Sequence, residues 1–379
     1  MKSVELKRLK PSSPGTSRHV KILRYGTPGA APKAYLQASL HADELPAMMA
    51  AHHLEKLLDA AEARGEILGE VVLVPVANPI GLAQIIDGSH LGRYDLASGE
   101  NFNRSFPDLA ALAADRVAGR LGRDAAENVR TIRAALVALL DEYQPQGELA
   151  SLRQILMREA IDADYVLDLH CDNDALMHLY LGEARWPDGA DLSAELGSVA
   201  TLLAADSGGT PFDETFSNLW AELRRRLGGE TPIPDACLAG TVEFRGQGDV
   251  SDALGAKDAA ALFRFLMRRG LVAGDPGPLP EPLCDGTPLA AVDVLRAPVG
   301  GMVVYHAELG EHVRAGQVVA EIVDPLAEDP AAQRTPVETI ADGLFFARKV
   351  KRLARPGQAI GKVAGAVALP TRTGALLDP

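Results

Sequence analysis

A proline-rich segment divides the sequence into two parts of different character. From Pro276 to Pro282 every second residue is proline, which is incompatible with a helix or a central strand. Before this segment, short β-like runs alternate with helical stretches, a pattern typical of an α/β domain. After it the helical patterns disappear. We therefore predict an α/β domain over residues 1–273, and a linker with a β-rich domain over residues 274–379.

Within the first domain, the spacing of apolar residues predicts the individual elements. Apolar residues recur at helical spacing from Leu54 to Ala61, with Pro46 and Gly65 placed to start and end that helix. Runs of β-forming residues bounded by Pro, Gly or Asn predict strands. The predicted helices are Leu45–Arg64, Ala125–Tyr143, Leu192–Ala205 and Ala256–Arg269. The predicted strands are Lys33–Leu40, Val71–Ala77, Tyr165–Leu169, Leu176–Leu181 and Gly240–Phe244.

The second domain contains a weak internal repeat. The run Gly301–Ile322 resembles the run Gly343–Val363, and each copy has a Gly-Gln pair at a similar distance from its first glycine. Two β-turn-β units in series predict a small pseudo-symmetric β-barrel or sandwich.

Composition and charge exclude several classes of protein. The formal net charge of −13 argues against a nucleic-acid partner, because such binding needs a concentrated basic face. No apolar run approaches the ~18–20 residues of a membrane helix. The cysteines Cys171, Cys237 and Cys284 are far apart, so neither a disulfide framework nor a cysteine zinc site is indicated. We expect a cytoplasmic protein without a nucleic-acid or membrane partner; the sequence leaves a homo-oligomer open.

The strongest chemical signal is the run His41-Ala-Asp-Glu44, which lies where a strand ends and a helix begins. A histidine and a carboxylate three positions apart can converge there, and both suit zinc. A third ligand is predicted at His170, which ends the strand Tyr165–Leu169, because sites assemble at strand ends in α/β sheets. Taken singly, Glu44 is also explained as a helix cap and His170 as a buried core side chain. Their joint occurrence favours one zinc ion per chain.

Two further runs carry candidate functional residues. The polar loop from Gly92 to Pro107 offers forked donors that match a carboxylate or a polarised carbonyl, although such a loop can also be plain surface; the donors are Arg93, Asn101, Asn103 and Arg104. Glu243 lies in a strand of small and apolar residues and is a candidate proton acceptor for a metal-activated water. Arg245 shares its predicted strand face and either binds an anionic substrate group or pairs with Glu243.

Two neighbours of His170 are assigned by strand alternation. Asp168 shares its face and is a candidate partner for its imidazole. Cys171 is expected to point to the opposite face.

Taken together, these runs resemble the succinylglutamate desuccinylase/aspartoacylase family, a deacylase branch of the zinc carboxypeptidase-like hydrolases. The matching pieces occur in family order over about residues 35–250: LHADELP, ANPIGL, RYD…GENFNRSFP, DLH and TVEF. The resemblance implies a mixed, mostly parallel sheet flanked by helices, followed by a β-rich domain.

The resemblance also implies a role for each matched residue. His41, Glu44 and His170 would bind zinc, and Glu243 would act as general base and acid. Arg93 would polarise the scissile carbonyl, and Asn103 with Arg104 would hold a substrate carboxylate.

The C-terminal part, from Ala297 to Gly365, resembles a biotinyl/lipoyl-type barrel. Such carriers hold their prosthetic group on a lysine between the two repeats, but the connecting segment from Pro325 to Pro336 contains none. A carrier role is therefore not expected. We expect this domain to pack against the catalytic mouth or a neighbouring subunit.

These observations lead to one expectation and two alternatives. We expect a zinc-dependent amidohydrolase that cleaves the amide bond of a small, anionic N-acyl amino acid or related compound. A zinc carboxypeptidase acting on peptides is the alternative within the enzyme class. A binding protein that keeps the fold without the chemistry is the alternative outside it.

Overall fold

In the computed structural model, which describes residues 1–228 and 231–377, helices and strands alternate before the proline-rich segment. The strands there are β1 (Ser3–Arg8), β2 (His19–Gly26), β3 (Lys33–Ala38), β4 (Glu70–Val74), β5 (Ile85–Ile86), β6 (Ser89–His90), β7 (Tyr165–Asp172), β8 (Asp174–Ala175), β9 (His178–Gly182), β10 (Ala200–Ala204) and β11 (Leu238–Gly246). The helices are α1 (Leu45–Ala63), α2 (Pro79–Leu82), α3 (Leu109–Val117), α4 (Ala125–Glu142), α5 (Glu148–Ala160), α6 (Trp186–Leu196), α7 (Phe212–Leu227) and α8 (Asp252–Arg268).

Nine strands form the central sheet, which explains the buried apolar strands of the first domain. The strand order is β1-β2-β4-β3-β7-β11-β9-β10, with β12 (Gly286–Pro288) at the far edge. Five of its neighbouring pairs are parallel, and the pairs β1–β2, β2–β4 and β11–β9 are antiparallel. The predicted mixed, mostly parallel sheet is confirmed.

Helices cover both faces of this sheet. Apolar residues of α1, α6 and α8 pack on one face, and those of α3, α4, α5 and α7 pack on the other. The two faces alternate along β7: Leu167, Leu169 and Cys171 join the apolar cluster under α1, whereas Asp168 and His170 point the other way. The Cys171 side chain therefore points away from the sheet face that carries Asp168 and His170, as strand alternation predicted.

One predicted element is wrong. The prediction of a single helix over Leu192–Ala205 joined two elements, because α6 ends at Leu196 and β10 begins at Ala200. Gly197 caps the helix in the left-handed conformation, with φ of +65°, and this cap stops helical hydrogen bonding. The following residues pair in parallel with β9 instead.

The chain after the linker forms two four-stranded antiparallel sheets. Their strands are β13 (Val292–Arg296), β14 (Gly301–Tyr305), β15 (His312–Val313), β16 (Val318–Val323), β17 (Arg334–Glu338), β18 (Gly343–Arg348), β19 (Leu353–Ala354) and β20 (Ala359–Gly365). The sheets have the orders β13-β20-β18-β15 and β17-β16-β14-β19. In each copy of the repeat the first strand pairs with the last strand of its own copy and with the middle strand of the other copy: β14 pairs with β16 and β19, and β18 pairs with β20 and β15. This is the predicted pseudo-symmetry.

Within the described residues, strand pairing joins the β-rich part to the first part in two places. Strand β12 pairs with β10 and so extends the central sheet. Strand β8, which follows β7, pairs with β18. The division at residues 273 and 274 stays a prediction. Of the helices in residues 1–228 and 231–377, none is both long and apolar enough to cross a membrane.

Candidate metal centre and active site

The segment His41–Glu44 joins β3 to α1, and local hydrogen bonds fix its shape. The Ser39 hydroxyl donates to the Glu44 carbonyl oxygen at 2.6 Å, and the Ala42 amide donates to the carbonyl oxygen of Gly92 at 3.0 Å. Glu44 immediately precedes α1, but its side chain makes no capping hydrogen bond. The interpretation of Glu44 as a helix cap is therefore wrong, and its carboxylate points elsewhere.

That carboxylate lies between the imidazoles of His41 and His170. The three side chains are buried, and their ligand atoms lie within 4.8 Å of one another. His41 Nδ1 is 3.0 Å from Glu44 Oε1, and His170 Nδ1 is 2.6 Å from Glu44 Oε2. One nitrogen of each ring and one carboxylate thus converge, which is the arrangement expected of three ligands around one ion.

The other nitrogen of each imidazole is held from outside this cluster. His41 Nε2 lies 2.8 Å from Asn101 Oδ1, and His170 Nε2 lies 2.8 Å from Asp168 Oδ2. Because both oxygens are acceptors, each Nε2 donates outward, and Nδ1 is the atom left to bind an ion. Metal-binding histidines usually have such a partner, because it fixes the orientation of the ring.

The charges of the cluster favour a cation at its centre. Burial lowers the pKa of His170, but the carboxylates of Asp168 and Glu44 outweigh it and raise this pKa well above its usual value. Burial acts to raise the pKa of Glu44, but the two imidazoles reverse this and hold it below its usual range. An ionised carboxylate between two imidazole nitrogens is a donor set that fits zinc.

Glu243 lies on β11, next to the strand that carries His170. The register places Glu243 opposite His170 on β7 and opposite His178 on β9, so the three side chains share one face of the sheet. Within the part of the chain that the structure describes, Glu243 Oε2 is buried without a hydrogen-bond partner. Burial and the Glu44 carboxylate raise the pKa of Glu243 to about 8. A carboxyl group with a pKa near neutrality can both accept and release a proton.

Arg93, in the polar loop from Gly92 to Pro107, contacts the cluster of His41, Glu44 and His170, called the metal cluster below. Its Nη1 atom is 3.2 Å from His41 Nδ1 and 3.6 Å from Glu44 Oε1. The side chain is 41% exposed, so the guanidinium touches the cluster on one side and solvent on the other. This is a position from which a cation can contact a bound substrate.

Asn103 lies at the cluster but already has partners. Its Oδ1 accepts from the Phe212 amide at 2.8 Å. Its Nδ2 is 3.4 Å from Asp168 Oδ2 and from His170 Nε2. Asn103 thus links α7 to the metal cluster, and its predicted contact with a substrate stays a prediction.

Arg104 lies close to Arg93. Its Nη1 donates to the Asn103 carbonyl oxygen at 2.8 Å, and burial together with the charge of Arg93 lowers its pKa. Its aliphatic part lies against Gly209, where a Cβ atom would come within 2.7 Å of Arg104 Cδ. Arg104 thus lies among charges of both signs, the guanidinium of Arg93 and the carboxylates of Asp213 and Glu214.

Arg245 does not lie with the other predicted substrate-binding residues. The pairing of β11 with β7 is irregular after Glu243, and Arg245 has a φ of +60°, so strand alternation fails there. The Arg245 guanidinium donates instead to Asp258 on α8, with Nη1 3.0 Å from Oδ1. The predicted ion pair of Arg245 with Glu243 is therefore wrong, and its predicted contact with an anionic substrate group stays a prediction.

Two residues next to the cluster, Asn101 and Gln37, make contacts that the sequence did not predict. Asn101, grouped with the donors of its loop, instead offers its Oδ1 to His41. Gln37 was overlooked: its Nε2 donates to Asp168 Oδ1 at 2.9 Å, and both side chains are buried. The signal for Gln37 was an amide side chain inside an otherwise apolar strand.

Comparison with known proteins bears on the identity of this site. Residues 30–136 match the model of the succinylglutamate desuccinylase/aspartoacylase catalytic domain. The solved structure of a protein of that family from Shewanella amazonensis SB2B is 25% identical, has a TM-score of 0.83, and covers 96% of this chain and 98% of its own. The chain is similar to proteins of the succinylglutamate desuccinylase/aspartoacylase family. The predicted resemblance is confirmed.

Two more distant structures share the fold. One, a family member from Shewanella frigidimarina NCIMB 400, is 24% identical, with a TM-score of 0.81 over 96% of this chain and 97% of that one. The other is the product-bound ectoine utilization protein from Ruegeria pomeroyi, 17% identical, with a TM-score of 0.68 over 96% and 95%. No curated protein matches this sequence. The family relation and the buried His–Glu–His cluster together support hydrolase activity.

Proposed function

We propose that this protein is a zinc-dependent deacylase that hydrolyses the amide bond of a small N-acyl amino acid or a related compound. The observation that carries the proposal is a convergent set of ligands next to a buried carboxyl, with His170 and Glu243 on the same face of the sheet. His41, Glu44 and His170 converge on one point, and Glu243 Oε2 lacks a partner beside them in the described residues.

The three convergent side chains would hold the zinc ion. When bound, zinc would polarise the scissile carbonyl and make an attacking water more acidic. Outer contacts keep the ligands in place: Asn101 holds His41, and Asp168 holds His170. A site that is ordered before the substrate arrives needs little rearrangement during the reaction.

Glu243 would move the proton. It accepts a proton from the attacking water and returns it to the nitrogen of the leaving amine, so that the carboxyl group is regenerated. Its burial supports this role, because a pKa raised to about 8 lets one group act in both directions near neutral pH.

The guanidiniums would bind the anionic parts of the substrate. Arg93 would donate to the oxygen that becomes negatively charged as the tetrahedral intermediate forms. Arg104, supported by Asn103, would bind the carboxylate of the amino acid, since a planar fork matches a carboxylate in two places. The substrate would therefore be a small anion.

A panel of N-acyl amino acids tests this proposal, each assayed as the free acid and as the methyl ester. Free acids should be hydrolysed and esters should react poorly, and chelation should abolish the activity of a protein that carries about one zinc per chain. Arg104→Lys should raise KM for the free acids by about tenfold with zinc content unchanged, because a point charge cannot replace a bidentate contact.

The esters are the internal control, since they cannot use the carboxylate contact. Equal hydrolysis of acids and esters by the wild-type protein would contradict the proposed substrate class. A protein without zinc and without activity would favour the binding-protein alternative.

A further inference from the structure

The C-terminal part of the chain places a lysine beside the catalytic sheet. Lys362 lies on β20, and its Nζ atom is 2.6 Å from Asp172 Oδ2 and 3.3 Å from the Tyr180 hydroxyl. The Lys362 side chain is 28% exposed and that of Asp172 is 13% exposed. Burial acts to lower the pKa of Lys362, but Asp172 and Tyr180 outweigh it and raise this pKa. Lys362 is therefore a charged group held by two partners.

Both partners belong to strands that flank Glu243. Asp172 ends β7, two residues after His170 and on the same face. Tyr180 lies on β9, opposite Thr241, which is two residues from Glu243 on β11. The ammonium of Lys362 thus faces the same polar surface as the Glu243 carboxyl, and its charge acts on that carboxyl.

Two buried polar atoms near this lysine lack partners. Among the described residues, neither Glu243 Oε2 nor His178 Nε2 has a hydrogen-bond partner, and their residues lie opposite each other in the sheet. Arg245, the nearest cation by sequence, is bound to Asp258. Lys362 acts on this surface from the β-rich part.

A second ion pair, Arg348 with Asp174, also joins the β-rich part to the α/β part and serves as a comparison for Lys362. Arg348 on β18 donates to Asp174 on β8 at 2.8 Å, next to the backbone pairing of β8 with β18. Arg348 joins the same two parts of the chain as Lys362. The charges that act most strongly on Glu243 are those of Glu44, His170, Asp172 and Lys362, so Arg348 has a weaker effect on it than Lys362.

The geometry points to Lys362 as a positioning residue for Glu243, supplied by the C-terminal β-rich part. With Asp172 and Tyr180 it forms a polar wall that keeps the Glu243 carboxyl oriented toward the reacting atoms. The β-rich part would then contribute a residue to the active site. This inference rests on the proposed role of Glu243 as general base.

The test compares Lys362→Met with Arg348→Met in the full-length protein. Lys362→Met should lower kcat by about tenfold to a hundredfold, because small displacements of a catalytic group cost that much, while KM and zinc content change little. Arg348→Met should leave kcat near the wild-type value. Lys362→Arg keeps the charge and should recover most of the lost kcat.

Thermal unfolding of each variant separates positioning from loss of structure. If Lys362→Met does not fold, the double variant Asp172→Asn, Lys362→Met removes both charges, and such a replacement is often tolerated; its kcat should still be low. A double variant with wild-type kcat would show that Lys362 only neutralises Asp172 and would overturn the inference.

The remaining outcomes are also decisive. Equal losses of kcat in the Lys362 and Arg348 variants would mean that docking alone matters, and a fully active Lys362→Met would overturn the inference outright. If Glu243→Gln keeps full activity, the proposed function fails first and this inference falls with it. Loss of activity in Glu243→Gln together with an active Lys362→Met would refute this inference alone.

Discussion

The cluster of His41, Glu44 and His170 lies next to Glu243, since His170 and Glu243 share one face of the sheet, yet the two regions differ in how their polar atoms are satisfied. In the cluster, the second nitrogen of each imidazole has an outer partner, Asn101 for His41 and Asp168 for His170. One strand away, Glu243 Oε2 is buried without a partner in the described residues. A satisfied network holds its members rigidly, whereas an unsatisfied buried oxygen stays available. The difference suggests fixed ligands beside a carboxyl left open for proton transfer.

Removing one of the three proposed zinc ligands should have the largest effect, on both zinc content and hydrolysis. His170→Ala deletes one of three donors, so zinc content should fall from about one per chain to near zero and hydrolysis should become undetectable. Metal analysis of the purified protein, with His52→Ala on the exposed side of α1 as control, measures this. A His170→Ala protein that keeps its full zinc complement would show that the ligand set is wrong.

Changing Glu243 should separate chemistry from metal binding. Glu243→Gln keeps the shape of the side chain but cannot accept a proton, so kcat should fall by about 10³-fold with zinc content unchanged. Parallel kinetics and metal analysis check both parts. Near-normal turnover would sink the assignment of Glu243 as the base, and loss of zinc would mean that the two regions are not separate.

Weakening a contact to the outer nitrogen of His170 should have the smallest effect, a partial loss of zinc affinity. Asp168→Asn removes the charge that holds His170 Nε2, and zinc affinity should fall by about 10- to 100-fold. Gln37→Met acts one contact further out, on Asp168 Oδ1, and should weaken binding less. Competition with a chelator of known affinity ranks the two variants. Identical affinities in both variants and the wild type would show that outer contacts do not matter.

The sequence correctly predicted that His41, Glu44 and His170 converge, because their geometry is local or set by strand ends. His41 and Glu44 are three residues apart at a strand-to-helix junction, and His170 lies near the carboxyl end of β7, a parallel neighbour of that strand. Parallel strands bring their carboxyl ends together, so a regular sheet suffices to predict the convergence. The same regularity correctly predicted that Cys171 faces the other side.

Prediction failed where regularity breaks or where the contact is distant. Arg245 was misplaced because an irregular pairing and a positive φ reverse the direction that alternation assigns. Lys362 carried no signal at all: it lies in an ordinary strand, and its partner Asp172 is 190 residues earlier. Such a pairing depends on how the two parts of the chain dock, which no local pattern records.

The separation of Lys362 from Asp172 along the chain also has a consequence in time. A ribosome adds about 5–20 residues per second, so Asp172 is synthesised roughly 10 to 40 seconds before the residue that neutralises it. During that interval β8 also lacks β18, its pairing strand. The residues proposed to bind zinc are all made by position 170, and Glu243 follows them. The nascent chain therefore acquires its metal ligands first and the surroundings of Glu243 last.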